Sequence, residues 1–272
     1  MQMLSTRQGR APSGLAFTVT GVGPPLVLVH GLMARGAMFE PLVPLLDRDF
    51  MLIIPDLRGH GASSAMDGPY DAERSATDVV ELLDHLRVPS ATILGYSQGG
   101  PVCQRVAHES PARVDRLILA CTYAHNTSTP REYVEGWVMT GLVSVFGARR
   151  VTGLMIREGA AIGGGPPLSL AQAAWLRGVL GSGPRAAMVA AVRGMRQFDS
   201  RPWLATITAP TLVVAGAEDE AVPKHHLEML TGSIPRAESR VVDGAGHGLV
   251  WTHSSVFAEL VRDWLQKPVA PP

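Results

Sequence analysis

The chain has 272 residues, 24 basic and 24 acidic side chains, and a hydrophobic content of 46%. A formal net charge of zero gives no general attraction for a polyanion, so a nucleic-acid partner is not indicated. No apolar segment approaches the roughly 18 residues that a membrane span needs, and the first residues lack the apolar run of a secretory signal. We therefore expect a cytoplasmic globular protein that buries one large core.

The two cysteines, Cys103 and Cys121, both lie in apolar stretches of the sequence. No C-x-x-C spacing of the kind that binds metals is present. The sequence therefore predicts two free buried thiols, with no disulfide and no metal site.

Strand and helix patterns alternate along the chain. Runs rich in Val, Ile and Leu predict strands at residues 25–30, 51–55, 92–95, 117–121, 211–216 and 239–242. Helical patterns such as 72–86 and 254–264 separate them, and residues 15–20 are the best candidate for an antiparallel strand at the start. Such alternation predicts an α/β fold with a mostly parallel central sheet flanked by helices.

The pattern changes between residues 122 and 210. A single crossover between parallel strands needs a dozen or more residues, but this stretch is far longer and contains several short helical patterns separated by Gly/Pro-rich breaks. We interpret it as an inserted helical cap. The predicted organisation is a first core segment (1–122), the helical cap (123–205) and a second core segment (206–272).

The motif with the clearest chemical meaning is Gly95-Tyr96-Ser97-Gln98-Gly99, a G-x-S-x-G pentapeptide between a predicted strand and a predicted helix. That context is the one in which a serine on a sharp turn acts as a nucleophile. Glycines are needed around such a turn because they have no Cβ to collide with its neighbours. A glycine-rich turn with an incidental serine is the alternative.

Three further motifs in chain order accompany the pentapeptide. His30-Gly31 ends one predicted strand, Asp219 follows another, and His247 lies in a glycine-rich loop after the last. From about residue 24 to 264 the chain resembles the α/β-hydrolase family, in its branch with a single cap. The family's catalytic order, Ser then Asp or Glu then His, implies Ser97 as nucleophile, Asp219 as orienting acid and His247 as base.

Other residues compete for these roles. Glu218 and Glu220 flank Asp219 and are alternatives for the acid. The remaining histidines have weaker claims. We interpret His85 and His108 as surface or packing residues and His225 and His226 as solvated surface residues. His30 and His60 are interpreted as shaping turns, and His125 and His253 as bordering a pocket.

The resemblance also implies an oxyanion hole and the absence of a cofactor. The hole would be formed by the backbone N–H groups of Leu32 and Gln98. Candidates for contact with the substrate are two residues of the loop after the first core strand and three aromatic residues of the cap, namely His30, Met33, Trp137, Phe146 and Trp175.

We therefore expect a serine hydrolase acting on a small to medium, apolar carboxylic ester through an acyl-enzyme. Serine at position 97 argues against the dehalogenases and epoxide hydrolases of this fold, which attack with a carboxylate. Four alternatives stay open: a lactonase or enol-lactonase, a cofactor-free haloperoxidase or perhydrolase, a thioesterase, and a ligand receptor with slow turnover. The sequence does not indicate an oligomeric state.

Overall fold

The computed structural model describes residues 6–156 and 163–268. Its centre is an eight-stranded sheet in the order β1-β2-β4-β3-β5-β6-β7-β8. The strands are β1 (Arg7–Arg10), β2 (Ala16–Thr20), β3 (Pro25–Val29), β4 (Met51–Pro55), β5 (Ala91–Tyr96), β6 (Val114–Ala120), β7 (Thr211–Gly216) and β8 (Ala237–Val242). Only β1 and β2 run antiparallel to their neighbours, so the predicted mostly parallel sheet is confirmed.

Helices cover both faces of the sheet. They are α1 (Val43–Leu46), α2 (Ala72–Leu86), α3 (Gly99–Glu109), α4 (Pro130–Phe146), α5 (Ala148–Met155), α6 (Leu170–Val179), α7 (Arg185–Gln197), α8 (His225–Ser233), α9 (Leu249–Thr252) and α10 (Ser254–Gln266). Alternate residues of the central strands enter two separate apolar clusters, one packed with α9 and α10 and the other with α2, α3 and α8. Burial on both faces explains why these strands are almost continuously apolar.

Local capping defines the ends of α2. The Asp71 carboxylate accepts a hydrogen bond from the Arg74 N–H at the first turn, and the helix stops at Arg87, which has a φ of 58°. Inside the helix, Ala76, Val79 and Leu83 face the sheet at helical spacing.

Four of the helices, α4 to α7, lie between β6 and β7 and form the helical insertion where the sequence predicts a cap. Two of them begin with capping boxes, in which Thr129 pairs with Glu132 and Ser169 pairs with Gln172. Of the described helices, none combines the length and apolar character that crossing a membrane requires.

A buried ion pair joins the loop after β4 to helix α2. The Arg58 guanidinium donates two hydrogen bonds to the Asp78 carboxylate, at 2.6 and 2.7 Å, and the exposed fractions of the two side chains are 5% and 0%. A third bond runs from Arg58 to the carbonyl oxygen of Asp67. The pair ties the β4 loop to the core.

Replacing Asp78 with Asn should leave the buried guanidinium without its counter-charge. We expect a loss of about 3–5 kcal/mol in the free energy of unfolding, measured by urea titration. Glu135→Gln, which breaks the exposed pair with Arg131, is the control and should leave the midpoint unchanged. Equal midpoints for the two variants would show that the buried pair does not hold the β4 loop.

Candidate active site

Ser97 lies on the sharp turn between β5 and α3. Its φ of 51° is in the left-handed region, which a non-glycine residue seldom adopts. The turn brings backbones into close contact: a Cβ at Gly99 would lie 2.2 Å from the Val29 carbonyl oxygen, and one at Gly95 would lie 2.5 Å from the Gly99 carbonyl oxygen. The glycines of the G-x-S-x-G motif are therefore required by packing.

Strand β6 and the segment that follows it hold the turn in place. The Ser97 N–H donates to the Ala120 carbonyl oxygen at 2.9 Å. The Thr122 hydroxyl donates to the Ser97 carbonyl oxygen at 2.6 Å. With both backbone groups bonded within the turn and β6, the hydroxyl of Ser97 is the polar group left to contact other loops.

Ser97, His247 and Asp219 form one hydrogen-bonded chain. His247 Nε2 lies 3.1 Å from Ser97 Oγ, and His247 Nδ1 lies 3.0 Å from Asp219 Oδ2. The other carboxylate oxygen of Asp219 accepts from the N–H groups of Ala221 and Val222, at 3.0 and 2.8 Å. Glu218 and Glu220, the sequence alternatives for the acid, are exposed.

Two residues that the sequence did not single out support this chain. The Tyr96 hydroxyl donates to the His247 carbonyl oxygen at 2.6 Å, and the two rings are in contact. Burial, together with the nearby Asp219 carboxylate, raises the pKa of the Cys121 thiol, so it stays protonated beside the carboxylate. Although Cys121, Asp219 and His247 lie close enough to share a metal ion, a protonated thiol is a poor ligand.

A glycine loop of the helical insertion contacts the two loops that carry Asp219 and His247. The Gly163 carbonyl oxygen accepts from the N–H groups of both Glu220 and His247, at 3.0 and 3.1 Å. Gly163, Gly164 and Gly165 all have a positive φ, and a Cβ at Gly164 would lie 1.9 Å from the Glu218 carbonyl oxygen. The sequence identified this run only as a break between helices.

The loop after β3 lies beside the Ser97 turn. A Cβ at Gly31 would be 3.1 Å from Ser97 Cβ, so the backbone passes directly over the serine. Met33 has a φ of 57°, and its carbonyl oxygen accepts from the Gly181 N–H of the insertion at 2.7 Å. Gln98 begins the turn into α3, and its side chain donates to Ala191 of α7 at 3.4 Å.

The other sequence candidates for substrate contact have different surroundings. His30 is fully buried, and its ring nitrogens contact the Gly31 carbonyl oxygen and the Leu57 N–H, so it shapes its turn. Trp175 donates to Glu40 at 2.8 Å, while Trp137 and Phe146 are about half exposed. These placements do not support a pocket lined by the three rings. The sequence of α4 is apolar nearly all round, so it does not reveal which side of the helix faces inward.

A second polar cluster joins the insertion to the core. One carboxylate oxygen of Glu132, on α4, lies 3.0 Å from Nε2 of both His225 and His226, at the start of α8. Such donors suit a divalent metal, but a metal-bound imidazole normally donates its other N–H, and His226 Nδ1 is buried with no partner in the described part of the chain. We interpret the cluster as a hydrogen-bonded link. His226 is 1% exposed, so its interpretation as a surface residue is wrong.

Two buried histidines should make the protein less stable in acid. Burial lowers the pKa of His60 to about 3 and that of His226 to about 4, below the unfolded value of about 6.5. As pH falls below 6.5 the unfolded chain takes up protons first, so the free energy of unfolding should drop by up to about 1.4 kcal/mol per pH unit for each histidine.

Urea titrations between pH 7.5 and 5 measure this slope. His226→Gln should reduce the slope of stability against pH by the amount that corresponds to about one bound proton. His85→Gln, at an exposed position, should leave the slope unchanged. A wild-type stability independent of pH over this range would contradict the expectation.

Comparison with known proteins gives a consistent set of relatives. The alpha/beta hydrolase fold family matches residues 24–149 and 180–254. A poly(3-hydroxyalkanoate) depolymerase of Ectopseudomonas oleovorans is 29% identical over 248 residues, covering 89% of this chain and 84% of that protein. The 3-oxoadipate enol-lactonase 2 of Acinetobacter baylyi is 30% identical over 201 residues, or 72% of each chain.

Among solved structures, a thermophilic esterase from Thermogutta terrifontis superposes with a TM-score of 0.80 at 27% identity. That superposition covers 97% of this chain and 98% of the other. Since the family match also extends over well more than half of the sequence, the protein belongs to the α/β hydrolase fold family.

Proposed function

We propose that the protein is a serine hydrolase that cleaves a small to medium, apolar carboxylic ester through an acyl-enzyme. The observation that carries the proposal is the unbroken chain from the Ser97 hydroxyl through His247 to the Asp219 carboxylate. Serine alone is a weak nucleophile, and this arrangement is the one that activates it. The described part of the chain supplies all three groups without a cofactor.

In the first half of the reaction, Ser97 Oγ attacks the ester carbonyl carbon while its proton moves to His247 Nε2. The Oγ–C bond forms, and the carbonyl oxygen becomes an oxyanion. His247 then gives the proton to the leaving alcohol as the C–O bond of the ester breaks. Asp219 keeps Nδ1 protonated and stabilises the charged imidazole. In the second half of the reaction a water molecule gives a proton to His247 and attacks the acyl carbon. The Ser97 Oγ–C bond then breaks, Oγ takes the proton back, and the carboxylic acid is released.

The oxyanion needs hydrogen-bond donors near Ser97, and we assign them to the backbone N–H groups of Leu32 and Gln98. Gln98 immediately precedes helix α3, whose N-terminal amides favour negative charge. Leu32 follows Gly31, whose backbone passes over the serine. One such donor is worth about 3–4 kcal/mol in the transition state.

Apolar side chains around the loop after β3 support an apolar acyl group. Met33 packs in a cluster with Val143 of α4 and Met188 of α7, and partly buried Leu32 and Met139 border that cluster. We propose this border, in place of the three aromatic rings, as the acyl pocket. The location in the cytoplasm and the absence of a nucleic-acid partner remain predictions.

A lactone is the second candidate substrate, because a relative with 30% identity is named an enol-lactonase. A lactone is a cyclic ester, so the same three side chains would open it. Assays of p-nitrophenyl acetate, butyrate and octanoate beside simple lactones and thioesters, with and without peroxide, separate the candidates.

Ser97→Ala should abolish nearly all ester hydrolysis and all labelling by a fluorophosphonate, because the hydroxyl is the point of covalent attachment. Mass spectrometry of the labelled wild type should locate the adduct on Ser97. Ser63→Ala and Ser64→Ala are controls elsewhere in the chain and should label normally. An adduct on either of those serines would refute the assignment.

Gly164→Ala should lower kcat by about tenfold to a hundredfold, because the added methyl group must displace the Glu218 backbone and shift the loops that carry Asp219 and His247. Gly178→Ala is the matched control: nothing lies within 4 Å of its Cβ position in α6. Circular dichroism should show both variants folded. Full activity in a folded Gly164→Ala variant would remove the glycine loop from the catalytic machinery.

A further inference from the structure

Exposed large apolar side chains are concentrated on the helical insertion. Nine of the thirteen in the described residues lie between positions 133 and 155. Seven belong to α4 and form what we call the apolar stripe: Tyr133, Val134, Trp137, Val138, Leu142, Val145 and Phe146. Their spacing of mostly three and four residues places them on one broad side of the helix, and the chain from Gly136 to Phe146 contains no charged residue.

Packing among the described residues leaves the stripe exposed. The opposite side of α4 makes the contacts with the rest of the molecule, through Gly136, Thr140 and Val143. Gly136 lies against Arg196 of α7, and Val143 enters the cluster around Met33. A helix that is apolar on both sides but covered on one presents a surface suited to a partner.

Arginines adjoin the stripe at the end of α4. Phe146 shares a surface groove with Arg149, Arg150 and Arg185, and the described residues lining that groove include no acidic side chain. Helices α4 to α7 together carry seven arginines and two glutamates, although the whole chain has no net charge. The excess of arginines therefore lies on α5, α6 and α7, the helices of the insertion that follow the apolar stripe.

We propose that the apolar stripe and the arginine groove dock the protein on the surface of an anionic lipid bilayer, with α4 lying in the plane of the interface. A helix with an apolar face and nearby arginines binds such surfaces by burying apolar area while its cations approach the headgroups. Tyr133 and Trp137 have the amphipathic rings that favour this depth. A second copy of the chain fits less well, because two-fold pairing would bring the arginine grooves together.

Docking at this position would also serve the proposed ester hydrolysis. The inner side of α4 borders Met33 and Leu32, so an apolar ester dissolved in the bilayer would meet the insertion next to the acyl pocket. This advantage depends on the proposed function, but lipid binding itself does not.

The direct test uses the full chain carrying Ser97→Ala, so that lipid hydrolysis cannot confuse the result. Flotation with vesicles of phosphatidylcholine alone is compared with vesicles that also contain phosphatidylglycerol. We expect at least tenfold more protein on the anionic vesicles, with binding weakened by salt. Tryptophan emission should shift to shorter wavelength on binding, and Trp137→Phe should remove most of that shift.

Variants separate the two parts of the surface. Val138→Gln with Leu142→Gln, and separately Arg149→Gln with Arg150→Gln, should each reduce binding to anionic vesicles by tenfold or more. Leu170→Gln and Val241→Gln are matched controls, since both change exposed apolar residues outside the stripe, and they should bind normally. With Ser97 intact, the Val138/Leu142 variant should hydrolyse a soluble ester at the normal rate, so a failure of docking is distinct from a failure of catalysis.

Three results would overturn the proposal. The first is no binding to either vesicle, and the second is equal binding to neutral and anionic vesicles. The third is a dimer in light scattering that the Val138/Leu142 variant abolishes, which would assign the stripe to a second copy of the chain.

Discussion

The candidate site depends on the close approach of backbones at the turn that carries Ser97. Helix α3 starts so near β3 that a Cβ at Gly99 would lie 2.2 Å from the Val29 carbonyl oxygen, and Ser97, two residues earlier, has a φ of 51°. The strain is offset by two hydrogen bonds, one donated by the Ser97 N–H to Ala120 and one donated by the Thr122 hydroxyl to the Ser97 carbonyl oxygen. The turn is therefore held between three parallel strands, which gives the hydroxyl one position relative to the loops around it.

Asp219 and His247 reach that hydroxyl because parallel strands end at the same edge of the sheet. Asp219 follows β7 and the His247 loop follows β8, the last two strands in the order of the sheet. A loop alone would leave the imidazole free to move, but His247 is anchored by Tyr96 through its carbonyl oxygen and by Gly163 through its N–H. Strand β5, which leads into Ser97, and the insertion thus both hold His247 in place.

Local patterns predicted the core strands and the Ser97 turn, because buried parallel strands and glycine-rich turns leave such patterns. The resemblance to the hydrolase family implied Asp219 and His247, which the structure brings together with Ser97. Three contributors left no local pattern. Tyr96 and Cys121 act through atoms brought together only in the fold. The glycine loop at 163–165 lies within residues 150–179, outside the family match, and its role comes from a backbone carbonyl that any residue type possesses. The orientation of α4 was equally hidden, since both sides of the helix are apolar.

The insertion therefore combines two demands on one helix. Its inner side packs on α7 and on the cluster around Met33 beside the candidate site, and Gly136 and Val143 make these contacts. Its outer side is under no such packing demand, and exposed apolar residues there add a risk of aggregation. The arginines beside Phe146 counter that risk through mutual repulsion between copies, while leaving the stripe able to meet an anionic apolar surface. Charge on the insertion thus selects the partner, and the apolar stripe supplies the contact area.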